Sequence, residues 1–180
     1  MIIPLIIISV LVLLLILLYN NLVGKRNKVR NSWSQIDVQL KRRFDLIPNL
    51  VEIVKGYAKH EKSTFEEVTS ARTKYLSSNT PEGMMQANGE LTQVLGRLFA
   101  VAEAYPELKA NTNFLELQGE LSKTEDKISY ARQFYNDVVM GYNNSVQMFP
   151  SSLVAKMFNF KEEPFFNVDV AEKAAPQIKF

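Results

Sequence analysis

The chain of 180 residues has no cysteine and a single histidine, His60. Without thiols there is no disulfide framework, no thiolate nucleophile, no iron–sulfur cluster and no zinc ribbon. One histidine cannot supply the two ExxH pairs of a di-iron helical bundle, and no second histidine completes an HExxH motif. Neither GxxxxGK[ST] nor GxGxxG occurs, so phosphate-cradling loops are absent as well. Serine, histidine and aspartate are present, but no pattern groups them into a triad. These gaps predict a protein that is not an enzyme, with no catalytic, cofactor-binding or metal-ligating residues and no cofactor. A hydrophobic fraction of 47% with 22% charged residues is globular composition and excludes whole-chain disorder.

Charge is also missing from a whole region. The first charged residue is Lys25, and Leu5–Leu18 reads LIIISVLVLLLILL with Ser9 as its one polar side chain. As helix, the uncharged stretch through Gly24 is roughly 36 Å long at about 1.5 Å per residue, enough to cross a bilayer. Tyr19 stands where interfacial aromatic residues are favoured. A cleaved signal peptide would carry a positive segment before the apolar run and small residues at a cleavage site. Neither is found, so an uncleaved anchor over residues 1–24 is expected.

The basic residues Lys25, Arg26, Lys28 and Arg30 follow the span directly. The positive-inside tendency then predicts the N-terminus outside and the larger domain in the cytoplasm. Residues 25–43 hold seven Lys and Arg against one acid, Asp37, for a net charge of +6, whereas residues 44–180 hold 14 against 18, a net of −4. Such a collar suits anionic lipid headgroups or sets topology. It is too short, beside too acidic a body, to predict nucleic-acid binding.

The rest reads as helix. Val29, Trp33, Ile36, Leu40, Phe44 and Ile47 step by three and four, a helical period. Pro48 removes a backbone donor and predicts a break or bend at residues 44–48, with Asp45 capping a new helix over about 46–77. Gly56 and the polar run His60–Thr64 are candidate local distortions of that helix. Thr80-Pro81 reads as the cap and first position of a third helix over about 81–104, closed by Pro106. Phe114, Leu117, Leu121, Thr124, Ile128, Ala131, Tyr135, Val138 and Tyr142 repeat at heptad spacing on a fourth, with Asn111 as its cap and Phe149-Pro150 as its stop. A short helix over about 151–158 and an aromatic tail, 161–180, follow. The predicted fold is all-α: a transmembrane helix, then an antiparallel bundle of three to four long helices over 25–160. The tail's phenylalanines should dock on the bundle or on a partner chain.

The polar run Ser34–Asn49 offers a candidate interaction surface of Asp37, Lys41, Arg42, Arg43 and Asp45. Asp37 and Lys41 are i,i+4 partners with the acid first. Asn136, Asn143 and Asn144 stand where a helix prefers other residues, which suggests buried or inter-chain hydrogen bonds.

Several blocks carry a resemblance: Tyr19–Glu61, containing QIDVQLKRR and then DLIPNLVE, Val68–Arg72, Ala100–Pro150, and Val154–Phe166. In these the chain resembles the LemA family of bacterial membrane proteins, departing at Phe44 where that family often has tyrosine. The resemblance implies one N-terminal span with its terminus outside, and a bundle of long antiparallel helices. It brings no enzyme activity and no catalytic residues. The expected function is a membrane-anchored scaffold that self-associates, with the lipid bilayer and further copies of itself as partners. The alternatives are an adaptor of another membrane protein, such as a protease or an envelope stress system, and a ligand-binding bundle or enzyme near Asp37, Arg42 and His60.

Overall fold

A computed structural model describes residues 2–58 and 60–166. Every regular element among them is a helix: α1 (Ile2–Tyr57), α2 (Lys62–Ser77), α3 (Pro81–Glu103), α4 (Pro106–Lys109), α5 (Thr112–Gln147) and α6 (Ser151–Met157). The all-α bundle predicted from periodicity is the fold observed. The predicted tail beyond Phe166 lies outside the described residues. The chain divides into two compact units, one holding residues through Gln35 and Ala131–Phe165, the other Ile36–Tyr130 and, among the described residues, Phe166.

In the Ile36–Tyr130 unit the later part of α1 meets α2, α3 and the beginning of α5, and α4 packs on α3. Phe44 stacks on Tyr75 with ring centroids 4.0 Å apart and Lys55 lies over Phe65, so α1 and α2 run antiparallel. Lys74 pairs with Glu90 and Arg97 with Glu67, so α2 and α3 do too. The helical series Ile36, Leu40, Phe44 and Ile47 is buried and continues through Leu50 and Val54 on α1, against Phe65, Val68, Ala71 and Tyr75 on α2 and Leu91, Leu95, Leu98 and Ala102 on α3. The caps form as their residues predict. Thr80 accepts from the Gly83 amide with Pro81 at the first helical position, and Asn111 accepts from the Phe114 amide at 3.1 Å.

The predicted break at residues 44–48 does not occur. Helix α1 continues through Pro48 to Tyr57, and Asp45 is an exposed mid-helix residue and no cap. The reason is where the proline lies on the helix. Pro48 itself is exposed, so its ring faces away from the packing side, while Phe44, Ile47, Leu50 and Val51 are buried on the other side and hold the helix in place across the one missing donor. The interruption comes further on, after Tyr57 and before Lys62, next to the Gly56 and His60–Thr64 features. Separate helices α1 and α2 therefore replace one helix over 46–77.

In the other unit the early part of α1 meets the end of α5. Trp33 lies edge-on to Tyr135 at 5.7 Å, and the Lys25 ammonium donates to the Gly141 carbonyl at 3.4 Å and to the Ser145 hydroxyl. These pairings make the two segments antiparallel. Along α5 the heptad face is buried at Phe114, Leu121, Thr124 and Ile128 in the Ile36–Tyr130 unit and at Tyr135 and Tyr142 in this one, while Leu117 and Ala131 are half-buried and Val139, not Val138, is the fully buried valine. After α6 the chain turns through Asn159 at φ 56°. The Phe160 amide donates to the Ala155 carbonyl and the Asn159 amide to that of Lys156, a Schellman motif in which asparagine takes the left-handed position.

Residues 160–165 then lie extended along α5, anchored by side chains. Tyr142 donates to the Lys161 carbonyl at 2.8 Å and Tyr135 to the Pro164 carbonyl at 2.9 Å. Asn143 donates to the Glu163 carbonyl and accepts from the Glu163 amide, both at 2.9 Å. Of the three suspected asparagines, Asn143 is thus the buried bridging one, and Asn144 is exposed.

Candidate functional site: the basic collar and the charged stretch of α1

Both groups of candidate residues lie on α1, which gives each a fixed place. In the collar, Lys25 and Arg26 are half-buried while Lys28 and Arg30 are exposed. Lys25 is held by α5, and the Arg26 guanidinium lies over the Phe160 ring, 4.8 Å from its centroid. Cation and ring attract through the ring quadrupole, so two collar charges are held by contacts within the protein and two are open to solvent. Just before the collar, Tyr19 meets Phe158 at 4.8 Å and Phe160 at 5.7 Å between centroids. The hydroxyl of Tyr142 is pushed above the usual tyrosine range, first by burial and then by the Glu163 charge, with Arg26 and Arg30 opposing.

The second group divides by burial. Arg43 is buried, its side chain 5% exposed, and its Nη1 lies 2.5 Å from Asn88 Oδ1 and 2.6 Å from Glu125 Oε2. It therefore lies inside the Ile36–Tyr130 unit, tying α1 to α3 and α5. Spacing alone would have found it. Ile36, Leu40, Arg43, Ile47, Leu50 and Val54 step by four and three, and Arg43 takes a core position in that series. Asn88, three residues before Leu91, was missed for the same reason.

Asp37 does not form the ion pair with Lys41 that its spacing suggested. It accepts instead from the Tyr75 hydroxyl at 3.2 Å. Burial and then the Asp37 charge hold the Tyr75 hydroxyl well above the usual tyrosine range. Arg42 reaches Glu120 at 2.6 Å, and Lys123 joins the same carboxylate at 3.1 Å. These hydrogen bonds, Lys123's first, hold Glu120 below the usual carboxylate range. Lys41 and Asp45 are exposed, as is Val38 beside them.

A groove of about 470 Å³ runs past the Arg43–Glu125 pair, walled by Leu95, Phe99 and Leu121. Among the described residues no group of three or more His, Asp or Glu side chains is placed to hold a metal ion. His60 is exposed, in the turn between α1 and α2.

A family model described as the LemA family matches residues 32–180. The chain belongs to the LemA family. It is 24% identical over 155 residues to "Protein LemA" of Metamycoplasma hominis, covering 86% of this chain and 71% of the relative. It is 25% identical over 178 residues to "Magnetosome protein MamQ 2" of Paramagnetospirillum magneticum, and 23% over 179 residues to "Magnetosome protein MamQ" of Magnetospirillum gryphiswaldense. Those matches cover 84% and 85% of this chain but 65% and 66% of the relatives, so the chain spans about two thirds of the magnetosome proteins' length. The LemA match begins at residue 32, after the apolar stretch and the collar. In this LemA family chain that stretch is part of one continuous helix with the bundle, and it is apolar and long enough to cross a membrane.

Proposed function

We propose that this LemA family protein is a single-pass, membrane-anchored helical scaffold without catalytic activity that self-associates at the bacterial inner membrane. In this reading its N-terminus is outside and the larger part of the bundle is cytoplasmic. One observation carries the proposal. The apolar side chains of α1 from Ile2 to Leu17 are almost all exposed, although the same helix buries its apolar stripe from Ile36 onward. Water is a poor solvent for so much contiguous apolar surface, and a bilayer is a good one. The charges that follow, Lys25 to Arg30, support the cytoplasmic orientation of everything after them. Lys28 and Arg30, open to solvent, are the two placed to meet anionic headgroups.

The test is extraction of the full-length protein from native membranes in mild detergent, followed by the mass of the intact complex with protein identification. A homo-oligomer is expected. A monodisperse monomer with nothing bound would overturn the scaffold. Orientation is read separately, because the chain has no native cysteine. A Glu82→Cys variant should react with an impermeant maleimide only after the cells are opened.

A second reading, an adaptor for another membrane protein, is favoured by one surface of α1. Val38 is exposed there beside Lys41, Arg42 and Asp45, an apolar contact point with both charge signs around it. Crosslinks from this surface that land on one foreign protein in fixed ratio would support the adaptor. Crosslinks only to a second copy would return the surface to the scaffold.

A further inference from the structure

Outside the span, most exposed large apolar side chains of the described residues are scattered singly. One group is not. Met148, Phe149, Leu153, Met157 and Phe158 fall within eleven residues at the corner between α5 and α6, and Phe149 and Leu153 are 78% and 61% exposed. Scattered apolar side chains need no explanation, whereas a contiguous group needs an occupant. Leu153 and Met157 are four apart on α6 and so share one face, while Val154 and Ala155 turn inward.

The position of this corner along α1 identifies the occupant. Antiparallel pairing places Gly141 and Ser145 of α5 at the level of Lys25. Met148, three residues beyond Ser145, is about 4.5 Å further toward the span at the helical rise. The Schellman turn after α6 then brings Phe158 and Phe160 onto Tyr19. Tyr19 precedes the first basic residue by six positions, about 9 Å of helix. The headgroup layer on each side of a bilayer is about 5–7 Å thick. With Lys25 in the aqueous headgroup region, Tyr19 and the two phenylalanine rings on it lie at the boundary between headgroups and acyl chains, where aromatic rings are favoured. The exposed corner is thus continuous with the surface where α1 leaves the membrane. Lys156 on α6 is an exposed cation at the same corner, suited to an anionic lipid surface as the collar is.

We propose that the α5–α6 corner is a second lipid-binding element, laid into the interface of the same leaflet from which α1 emerges, with Phe149, Leu153 and Met157 in the acyl-chain boundary and Lys156 among the headgroups. This rests on the anchor reading above. It adds that the protein grips the bilayer at two points, which fixes the tilt of α1 and α5 against the membrane. Short amphipathic helices with an apolar face and a basic edge lie in the interface in this way.

The full-length protein, made as single-cysteine variants Leu153→Cys and Ile8→Cys carrying an environment-sensitive fluorophore, is reconstituted in vesicles of equal parts phosphatidylcholine and phosphatidylglycerol. Lipids with a spin-label quencher near the headgroup end or deep in the acyl chain are added in turn, and iodide is added from the water. The expected result is quenching at both sites: at Ile8 by the deep label, and at Leu153 by the shallow label more than by the deep one or by iodide. Adding Phe149→Glu and Met157→Glu to the Leu153→Cys variant should abolish its lipid quenching, with helical content and Trp33 fluorescence unchanged. If Ile8 is quenched by lipid while Leu153 is quenched only by iodide, the corner is in water and the proposal is overturned with the anchor intact. If Leu153 is shielded from lipid and iodide alike, another protein surface covers it, which also overturns the proposal. Absence of lipid quenching at Ile8 would instead sink the anchor reading and this inference with it.

Discussion

Helix α1 solves two solvation problems with one backbone. From Ile2 to about Leu17 it is apolar on every side and almost wholly exposed. From Ile36 to Val54 it is apolar along one stripe, and that stripe is buried. The local geometry is the same, so what differs is the periodicity of the side chains. An all-round apolar helix asks for an apolar solvent, while a stripe at steps of three and four asks for neighbouring helices. The comparison teaches that burial within the protein and exposure to lipid satisfy the same hydrophobic requirement by different partners. It also makes the energetic consequence of a substitution depend on which stretch it falls in.

The sharpest way to break the comparison is to shorten one leucine in each stretch. Leu50→Ala, at a fully buried site, should cost about 2–5 kcal/mol of bundle stability through lost transfer energy and a residual cavity. Leu11→Ala, at an exposed site, should leave the unfolding transition where it was. Thermal melts of both variants in the same detergent, followed by circular dichroism, make the check. A Leu11→Arg variant supplies the reverse case. An arginine near the centre of a span costs about 2.5–3.5 kcal/mol on insertion, so carbonate-resistant membrane retention should fall while the melt stays put. A lowered melting point for Leu11→Ala would mean that the first stretch packs against protein, and the distinction would collapse.

The next effect tests the polar residue that lies within the buried stripe. Glu125→Ala takes from the buried Arg43 guanidinium the carboxylate that lies 2.6 Å from it. The expected cost is about 3 kcal/mol, at the low end for a broken buried pair because the Glu125 side chain is 37% exposed. Combining Glu125→Ala with Arg43→Met should recover most of that loss, since an apolar side chain suits a position flanked by Leu40 and Ile47. A double-mutant cycle by denaturant unfolding reads both numbers. If the double variant is as unstable as Glu125→Ala alone, the penalty comes from lost packing and not from an unpaired charge.

Arg43 also shows what was legible in the sequence and what was not. Most apolar core positions of α1 and α5 followed from spacing, as did the caps at Thr80 and Asn111. These are local rules in which a residue's own neighbours decide the outcome. Pro48 was misread because a proline's effect depends on whether its side of the helix faces solvent, a tertiary fact. There the proline ring itself faces solvent, and the buried stripe on the other side keeps the helix going. For Arg43 and Asn88 the partners were hidden, because a partner on another helix is known only once the helices are packed; Asn143 was open to suspicion as a buried hydrogen-bonding residue, and only its partner Glu163 was not foreseen. The spacing of Arg43 within the stripe was available; Glu125, eighty-two residues later, was not predictable as its partner. The corner between α5 and α6 was visible as a stop signal, but its level beside Tyr19 needed the antiparallel pairing of two helices.

A smaller effect sharpens the buried side further. Tyr75→Phe removes the hydroxyl that Asp37 accepts from while keeping the ring on Phe44, and should cost about 1 kcal/mol. Its pH dependence has a definite sign. The folded Tyr75 hydroxyl titrates higher than in the unfolded chain because of burial and the Asp37 charge. Its contribution is therefore intact below the unfolded tyrosine value of about 10 and is lost as the pH rises beyond it. The variant should lose stability less steeply on the alkaline side than the parent. Tyr142 is shifted in the same direction, so the slope should be reduced and not abolished.

The least effect is expected where charge meets water. Glu120 is held below the usual carboxylate range by Lys123 and Arg42, which by the same linkage makes its contribution present at neutral pH and lost as the pH falls through its lowered value. The pair with Arg42 has the same 2.6 Å separation as the one between Arg43 and Glu125, yet the Arg42 side chain is 52% exposed where that of Arg43 is 5%. Solvent screening and side-chain entropy offset most of such an exposed pair. Glu120→Gln should accordingly leave the unfolding midpoint unchanged at neutral pH, with at most a slight flattening of the acid limb that disappears in high salt. A shift as large as that of Glu125→Ala would show that distance and not desolvation governs these charges. The buried arginine would then lose its claim to be the one that ties α1 to α3 and α5.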